Sequence, residues 1–192
     1  MYNSFAMKKL VAVILSVLTL PAVADDDVNP LFGAGNENNI AIYAAQGTGP
    51  GTMFKLVDPF LWEFEPMTSL IVQYSQPLNI FRLPSRMNLN FVQNFAYGDD
   101  HGLSFMAIGV SWDVALINWR GFYLGIGIGP YMRDSNDRYV ESKLVFGERV
   151  FIGKNIGNDW RIELFTQHFS NGDFTEINRG FNFTGLGVNY SF

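Results

Sequence analysis

The chain has no cysteine among its 192 residues, and it carries few charges for its size. Without cysteine there are no disulfide bonds, no thiolate-bound zinc and no thiol nucleophile. Charged residues make up 16% of the chain, against about 25% in a typical soluble domain, whereas aromatic residues also reach 16%. The length suits one domain, and this composition points away from an ordinary soluble one.

Long apolar runs are absent except at the N-terminus. A basic pair at 8–9 precedes an apolar run over 10–20, and the tripeptide Ala22-Val23-Ala24 supplies a small-x-small cleavage site. The run is about half of the length that a membrane-spanning helix needs. We therefore expect residues 1–24 to be a removable secretory signal peptide, and 25–192 to form the exported protein.

Basic residues are also scarce. Removal of the signal peptide leaves 11 basic residues against 18 acidic ones, which is a net charge of −7. Proteins that bind nucleic acid neutralise phosphates with lysine and arginine, so this balance argues against nucleic acid as a partner.

The mature chain does contain many segments in which bulky apolar residues alternate with small or polar ones. Side chains of a strand point alternately to its two faces, so this pattern predicts strands with one apolar face. A soluble β-sandwich also alternates. However, the small or polar face is rich in Gly and Asn, which suits a narrow polar lumen, and ring residues near strand ends resemble the girdles of membrane barrels: Tyr97, Trp112, Phe122 and Tyr190.

The alternating segments number eight, and they predict an all-β fold, an eight-stranded antiparallel transmembrane β-barrel of the outer membrane. An even number lets both termini lie on the periplasmic side, and side chains just fill an interior of this size, so a pore is not expected. The segment 48–66 is predicted to be a long first loop. The predicted strands are 38–47, 67–76, 86–97, 103–116, 121–132, 139–153, 160–170 and 181–192.

The C-terminus ends on Phe192, with Tyr190 two residues before it. This resembles the terminal aromatic signature that the barrel assembly machinery of the outer membrane reads. We therefore expect that machinery to be a partner during insertion.

The seventh segment breaks the barrel rule at its end. Its predicted lipid-facing side begins with Ile162 and Leu164 and continues with Thr166, His168 and Ser170. A histidine and a serine two residues apart on a strand share one face, with Cβ atoms about 7 Å apart. An imidazole so placed can take the serine proton if a third group orients the ring. Polar residues near a barrel rim are also ordinary.

The eighth segment supplies a candidate for that third group. A hairpin centred near Glu176 is predicted to bring Ser170 roughly opposite Asn182, within side-chain reach. Among the other polar residues, His101 is expected to be a solvated loop residue. Arg161, Glu163 and Gln167 are expected to fill the lumen, and Glu148, on the nominally outward side, indicates a bulge or an error of parity.

Two short stretches carry a family resemblance. His168-Phe169-Ser170-Asn171-Gly172, followed by Asn178-Arg179-Gly180-Phe181-Asn182, resembles the C-terminal signature of the PagL-type lipid A 3-O-deacylases. That family is an eight-stranded outer-membrane barrel with its active site on the outer face. The resemblance implies hydrolysis of the ester that holds a hydroxyacyl chain at the 3-position of lipid A, with no metal and no cofactor.

Carried over residue by residue, the resemblance makes His168 the general base and Ser170 the nucleophile. It makes Asn171 and neighbouring backbone amides, including that of Gly172, the oxyanion hole. The implied partner is lipid A, as lipopolysaccharide, with the active site facing the cell exterior; a monomer and a homodimer both stay open.

The sequence departs from the family pattern at two places. The family usually continues Ser-Asn-Ala-Gly, whereas here Gly172 and Asp173 follow Ser170-Asn171. The best-known members have Glu at the position of Asn182, and asparagine orients a histidine without stabilising imidazolium by charge. Asn182 is our first choice for the third member and Glu176 is the alternative acid. A non-enzymatic barrel for structure, adhesion or ligand binding, and a catalytically decayed family member, are the rival functions.

Overall fold

The computed structural model describes residues 29–32, 38–49, 58–98 and 103–192. The predicted signal peptide and His101 lie outside these residues. No helix in the described part of the chain is long and apolar enough to cross a membrane.

The described chain forms a closed barrel of eight strands in sequence order. Each strand pairs antiparallel with the next, and β1 pairs with β8 to close the sheet. The predicted eight-stranded antiparallel β-barrel is therefore confirmed. The strands are β1 (Asn39–Gly47), β2 (Met67–Ile80), β3 (Leu83–Ala96), β4 (Phe105–Trp119), β5 (Phe122–Arg133), β6 (Leu144–Ile156), β7 (Trp160–Ser170) and β8 (Phe181–Ser191).

The connections differ in length at the two ends of the barrel. One end, which we call the short-turn end, has turns at 81–82, 120–121 and 157–159, together with the start of β1 and the end of β8. The opposite, long-loop end has the segments 48–66, 97–104, 134–143 and 171–180 between strands. The predicted long first loop includes a short 3-10 helix, Pro59–Leu61.

The bounds of β7 agree with prediction, whereas β2 and β3 continue past their predicted ends at 76 and 86. They meet in a two-residue turn in which Phe81 and Arg82 both have positive φ, 51° and 67°. Two-residue hairpin turns of type I′ require positive φ at both residues and usually contain Asn-Gly or Asp-Gly. Phe-Arg gives no such signal, so the turn was not predicted.

The sixth strand begins at Leu144 and not at the predicted 139, because the preceding residues fold over the barrel end. Arg133 at the end of β5 holds them. Its guanidinium donates to Asp137 Oδ2 at 2.6 Å and to the carbonyl oxygens of Val140 and Ser142, both at 2.8 Å.

Side chains alternate between the two faces of each strand, as predicted. Apolar side chains point outward, and both polar and aromatic side chains point inward. Ile42 and Ile108 are each 56% exposed on the outer wall, whereas Tyr43 and Asn90 are buried inside. Inward glycines make room for rings from the neighbouring strand: a Cβ on Gly187 would lie 1.9 Å from Tyr43 Cδ1. The lumen is therefore filled by aromatic as well as polar side chains.

A buried ionic cluster lies in the lumen towards the short-turn end. The Glu163 carboxylate, fully buried on β7, accepts two hydrogen bonds from Arg86, at 2.9 and 3.0 Å, and one from Arg149 at 3.0 Å. Tyr43 and Tyr123 donate their hydroxyls to the same carboxylate, at 2.7 and 2.8 Å. One acidic residue therefore joins five strands across the interior.

Glu163→Ala should lower the free energy of unfolding by about 3–5 kcal/mol, because it leaves two buried arginines without their shared counter-charge. Guanidinium unfolding in detergent micelles, followed by tryptophan fluorescence, measures the loss. Glu163→Gln keeps the shape and should lose less, and Glu141→Ala, at an exposed loop position, should stay within about 0.5 kcal/mol of wild type. An unfolding free energy of Glu163→Ala close to that of wild type would contradict the structural role of the cluster.

Candidate active site

The polar residues at the end of β7 lie on the outward face of the barrel wall, at its long-loop end. They share parity with Ile162 and Leu164, which are 46% and 47% exposed. His168 pairs with Glu148 on β6 at one side and with Asn182 on β8 at the other. Three neighbouring strands thus place a carboxyl, an imidazole and a carboxamide in one row across the outer wall.

The predicted pairing of Ser170 with Asn182 is wrong, because the hairpin is centred on Thr175 and not on the neighbouring Glu176. Shifting the centre by one residue moves every partner by two, so Asn182 lies opposite His168. A two-residue shift keeps the face, and Asn182 stays outward. Ser170 instead pairs with Phe146 on β6.

The imidazole of His168 is oriented by Asn182. Its Nδ1 lies 2.7 Å from Asn182 Oδ1, in a buried hydrogen bond. A carboxamide oxygen only accepts, so Nδ1 carries the proton and Nε2 has the free lone pair. That is the tautomer a general base needs, with its basic nitrogen on the edge away from the residue that orients it.

The site is a recess, although it lies on the outward face. His168 is 6% exposed and Ser170 is 8% exposed, whereas Leu164, four residues before His168 on the same face, is half-exposed. Gly180, at a φ of +70°, packs its backbone against the ring, and a Cβ there would lie 2.3 Å from His168 Cε1. Any larger residue at 180 would therefore displace the imidazole.

The loop after β7 is held by Asn171, whose donors are all occupied. Its backbone N–H donates to Asn178 Oδ1 at 2.9 Å, and its Nδ2 donates to Thr175 Oγ1 and to the Ile177 carbonyl. The predicted role of Asn171 as an oxyanion donor is not supported, because no N–H of this residue is left for a ligand. The carboxamide shapes the loop instead.

Gly172 remains as a candidate oxyanion donor. It is exposed, it adopts a φ of +67°, and its N–H donates to no backbone carbonyl in the described part of the chain. The Ser170 side chain is 8% exposed and lies two residues from His168 on the same face of β7. The nucleophile candidate and the exposed Gly172 thus lie close together in the chain at the end of β7.

Glu176, the alternative acid, does not approach the imidazole. It lies exposed at the tip of the loop, and the ring's one hydrogen bond to a described residue goes to Asn182. The structure therefore brings together His168 and Asn182, with Ser170 two residues along the same face, and leaves Glu176 apart.

The expectation of a bulge or an error of parity at Glu148 is wrong. The β6 ladder runs without a register shift through this residue, so there is neither a bulge nor an error of parity. Glu148 is an outward residue beside His168, and its Oε2 is buried without a hydrogen-bond partner. The signal in the sequence is the outward parity of Glu148 itself.

In the described part of the chain, no group of three or more His, Cys, Asp or Glu residues is placed so that it could hold a metal ion.

Two solved structures align with the barrel. The crystal structure of the outer membrane enzyme PagL aligns with a TM-score of 0.50 at 14% identity, covering 79% of this chain and 99% of that one. Neisserial surface protein A aligns with a TM-score of 0.54 at 10% identity, covering 81% and 97%. At such identities these likenesses show the barrel fold alone. None of the curated proteins matches the chain in sequence.

A family model identifies the relationship. The model described as lipid A 3-O-deacylase (PagL) matches residues 68–191, which is more than half of the chain and includes all of β2 to β8 except the first residue of β2. This chain belongs to the PagL family of outer-membrane β-barrels.

Proposed function

We propose that the protein is a lipid A 3-O-deacylase, a serine esterase that hydrolyses the ester of the 3-hydroxyacyl chain at the 3-position of lipid A. The observation that carries the proposal is the recess on the outward wall, where Asn182 fixes the His168 tautomer and Ser170 lies two residues along the same face. Because side chains fill the lumen of this barrel, its outward face is the one that a lipid substrate reaches.

The outer wall also suits the acyl chain. Below the recess, Leu164 pairs with Leu186 and Ile162 pairs with Val188, and all four are between 46% and 60% exposed. A hydroxyl pair, Thr166 and Thr184 at 3.1 Å, separates this apolar strip from the imidazole. An acyl chain lying in the bilayer against these strands would bring its ester carbonyl to the level of Ser170.

The chemistry follows from the groups present. Ser170 Oγ attacks the ester carbonyl carbon while His168 Nε2 takes the hydroxyl proton. Gly172 N–H faces the developing oxyanion, and one such donor is worth about 3 kcal/mol. The carbon–oxygen bond to the sugar breaks, the sugar oxygen takes the proton from His168, and water then releases the hydroxy fatty acid by the same route.

The rival functions explain less of the site. Polar residues are ordinary near a barrel rim, but a purely structural barrel gains nothing from burying Glu148 Oε2 and Asn182 Nδ2 without hydrogen-bond partners, because such atoms destabilise the fold. A decayed enzyme would have no need to keep the imidazole in the catalytic tautomer.

Ser170→Ala and His168→Ala should each lower kcat for fatty-acid release from lipopolysaccharide by about ten-thousand-fold, because each removes a member of a unit that acts together. Mass spectrometry of lipid A, in detergent, detects the loss of one hydroxyacyl chain. The matched controls are Ser135→Ala, in the loop before β6, and His101→Ala, at the second histidine, and both should stay active. Release by either site variant at the wild-type rate would refute the assignment.

Asn182→Ala should lower kcat by about 10- to 100-fold with little change in KM, since the ring loses the group that orients it but keeps its basic nitrogen. Glu176→Ala should leave both constants within about twofold of wild type. The reverse ranking would identify the loop carboxylate as the third member, through a loop movement that this structure does not contain.

The orientation of the site can be tested because the chain has no natural cysteine. Asn136→Cys, in a long loop, should react with a membrane-impermeant maleimide on intact cells. Asp159→Cys, in a short turn, should react only after the outer membrane is permeabilised. Labelling in the opposite order would place the recess at the periplasmic side and contradict an active site at the cell exterior.

A further inference from the structure

The catalytic histidine of the proposed esterase lacks a charged partner where one is needed. When His168 takes the serine proton it becomes a cation, and Asn182 offers it a neutral oxygen at 2.7 Å. A carboxylate beside the ring stabilises that cation in the transition state, whereas a carboxamide only orients it.

The loop carboxylates do not fill this gap. Asp173 Oδ1 accepts a hydrogen bond from Asn178 at 2.8 Å, and Glu176 lies exposed. On β8, the neighbours of Asn182 are Phe181 and Phe183 along the strand and Thr184 on its outward face. Thr48 and Gly49, which exchange backbone hydrogen bonds with Asn182, carry no charge, and Glu63, whose backbone lies beside them, is exposed.

Glu148 is the acidic residue on the strand at the other side of His168. It is directly opposite His168 in the β6–β7 ladder, and Cβ atoms of such pairs lie about 4.5–5.5 Å apart. The ladder has no bulge here, so both side chains project from the same outward face. The imidazole therefore lies between Asn182 and Glu148.

The Glu148 side chain is also unusual in being unsatisfied. Its Oε2 is buried and has no hydrogen-bond partner in the described part of the chain. A buried carboxylate without a partner destabilises the resting state, and a cation formed next to it removes that penalty. An interaction that is absent in the ground state and present in the transition state raises kcat without lowering KM.

We propose that Glu148 is a positioning residue that acts through His168, supplying from β6 the negative charge that stabilises the imidazolium. This rests on the proposed function of His168 and Ser170 as base and nucleophile. The carboxylate neither contacts the substrate nor takes the proton; the proton goes from Ser170 Oγ to His168 Nε2.

Glu148→Gln should lower kcat for fatty-acid release by about 10- to 100-fold at pH 8, with KM within about twofold of wild type. The substitution keeps the shape of the side chain and removes a buried charge, so the barrel should fold and unfold as wild type does. Glu141→Gln, which neutralises an exposed loop carboxylate, is the matched control and should leave both constants unchanged.

A second background separates an electrostatic role from a structural one. Asn182→Glu gives the imidazole a charged partner on β8, so in that background Glu148→Gln should lower kcat less than about threefold. A packing role would produce the same loss in both backgrounds, because Glu148 and Asn182 lie two strands apart, and distant residues without a shared partner give additive effects. Equal losses, or full activity of Glu148→Gln, would overturn the proposal.

Wild type, Glu148→Gln, Asn182→Glu and the double variant should also be treated with a fluorophosphonate, which tests the reactivity of the serine without lipid A. Ser170 Oγ forms a bond to phosphorus, the phosphorus–fluorine bond breaks, fluoride leaves, and His168 takes the hydroxyl proton. Glu148→Gln should slow labelling of Ser170 at least about tenfold, and the slowing should shrink in the Asn182→Glu background.

The two readouts distinguish failure of the proposed function from failure of this inference. Labelling of Ser170 that depends on Glu148, without release of fatty acid from lipopolysaccharide, would refute the lipid A assignment and support the role of Glu148. Labelling at the same rate in wild type and Glu148→Gln, or no labelling of the wild-type serine, would overturn the role of Glu148.

Discussion

The closed ladder of backbone hydrogen bonds is the constraint on which the rest of the structure depends. A chain that crosses a bilayer with strands has to satisfy every backbone N–H and C=O internally, and closing the sheet through the β1–β8 pair removes the two free edges. Closure leaves each side chain only two directions, lumen or lipid. Parity along a strand then decides the environment of every residue in it.

The interior is cross-linked by a buried ionic cluster in which Glu163 has the most partners, and Asp113 pairs with Arg86 beside it. Glu163 is surrounded by two arginines and two tyrosines from four other strands, so charge balance in the lumen ties the wall together. Glycines opposite the large rings let these side chains fit in a narrow barrel. A filled lumen leaves the outer wall as the place for chemistry, and the residues of our proposed active site lie on that wall.

The recess shows how a polar site is kept in an apolar wall. Its members lie at the long-loop end, and the loop after β7 covers them through Gly180 and the hydrogen bonds of Asn171. Where the family has a glutamate on the last strand, this chain has Asn182, and an acidic residue stands on the strand at the other side of the imidazole. Charge and orientation, joined in one residue elsewhere in the family, are here divided between two strands in our proposal.

The sequence by itself determined the barrel, its eight strands, and the outward side of His168 and Ser170, because period-two alternation along one strand is a local property. It could not determine which residues lie opposite one another: a shift of one residue in the hairpin centre moved Asn182 from Ser170 to His168, and nothing local in 171–180 encodes that centre. Nor could it show that the donors of Asn171 are occupied, which depends on how the loop 171–180 folds. It also could not show Glu148 beside the imidazole, because that neighbourhood exists only once β6 and β7 have paired.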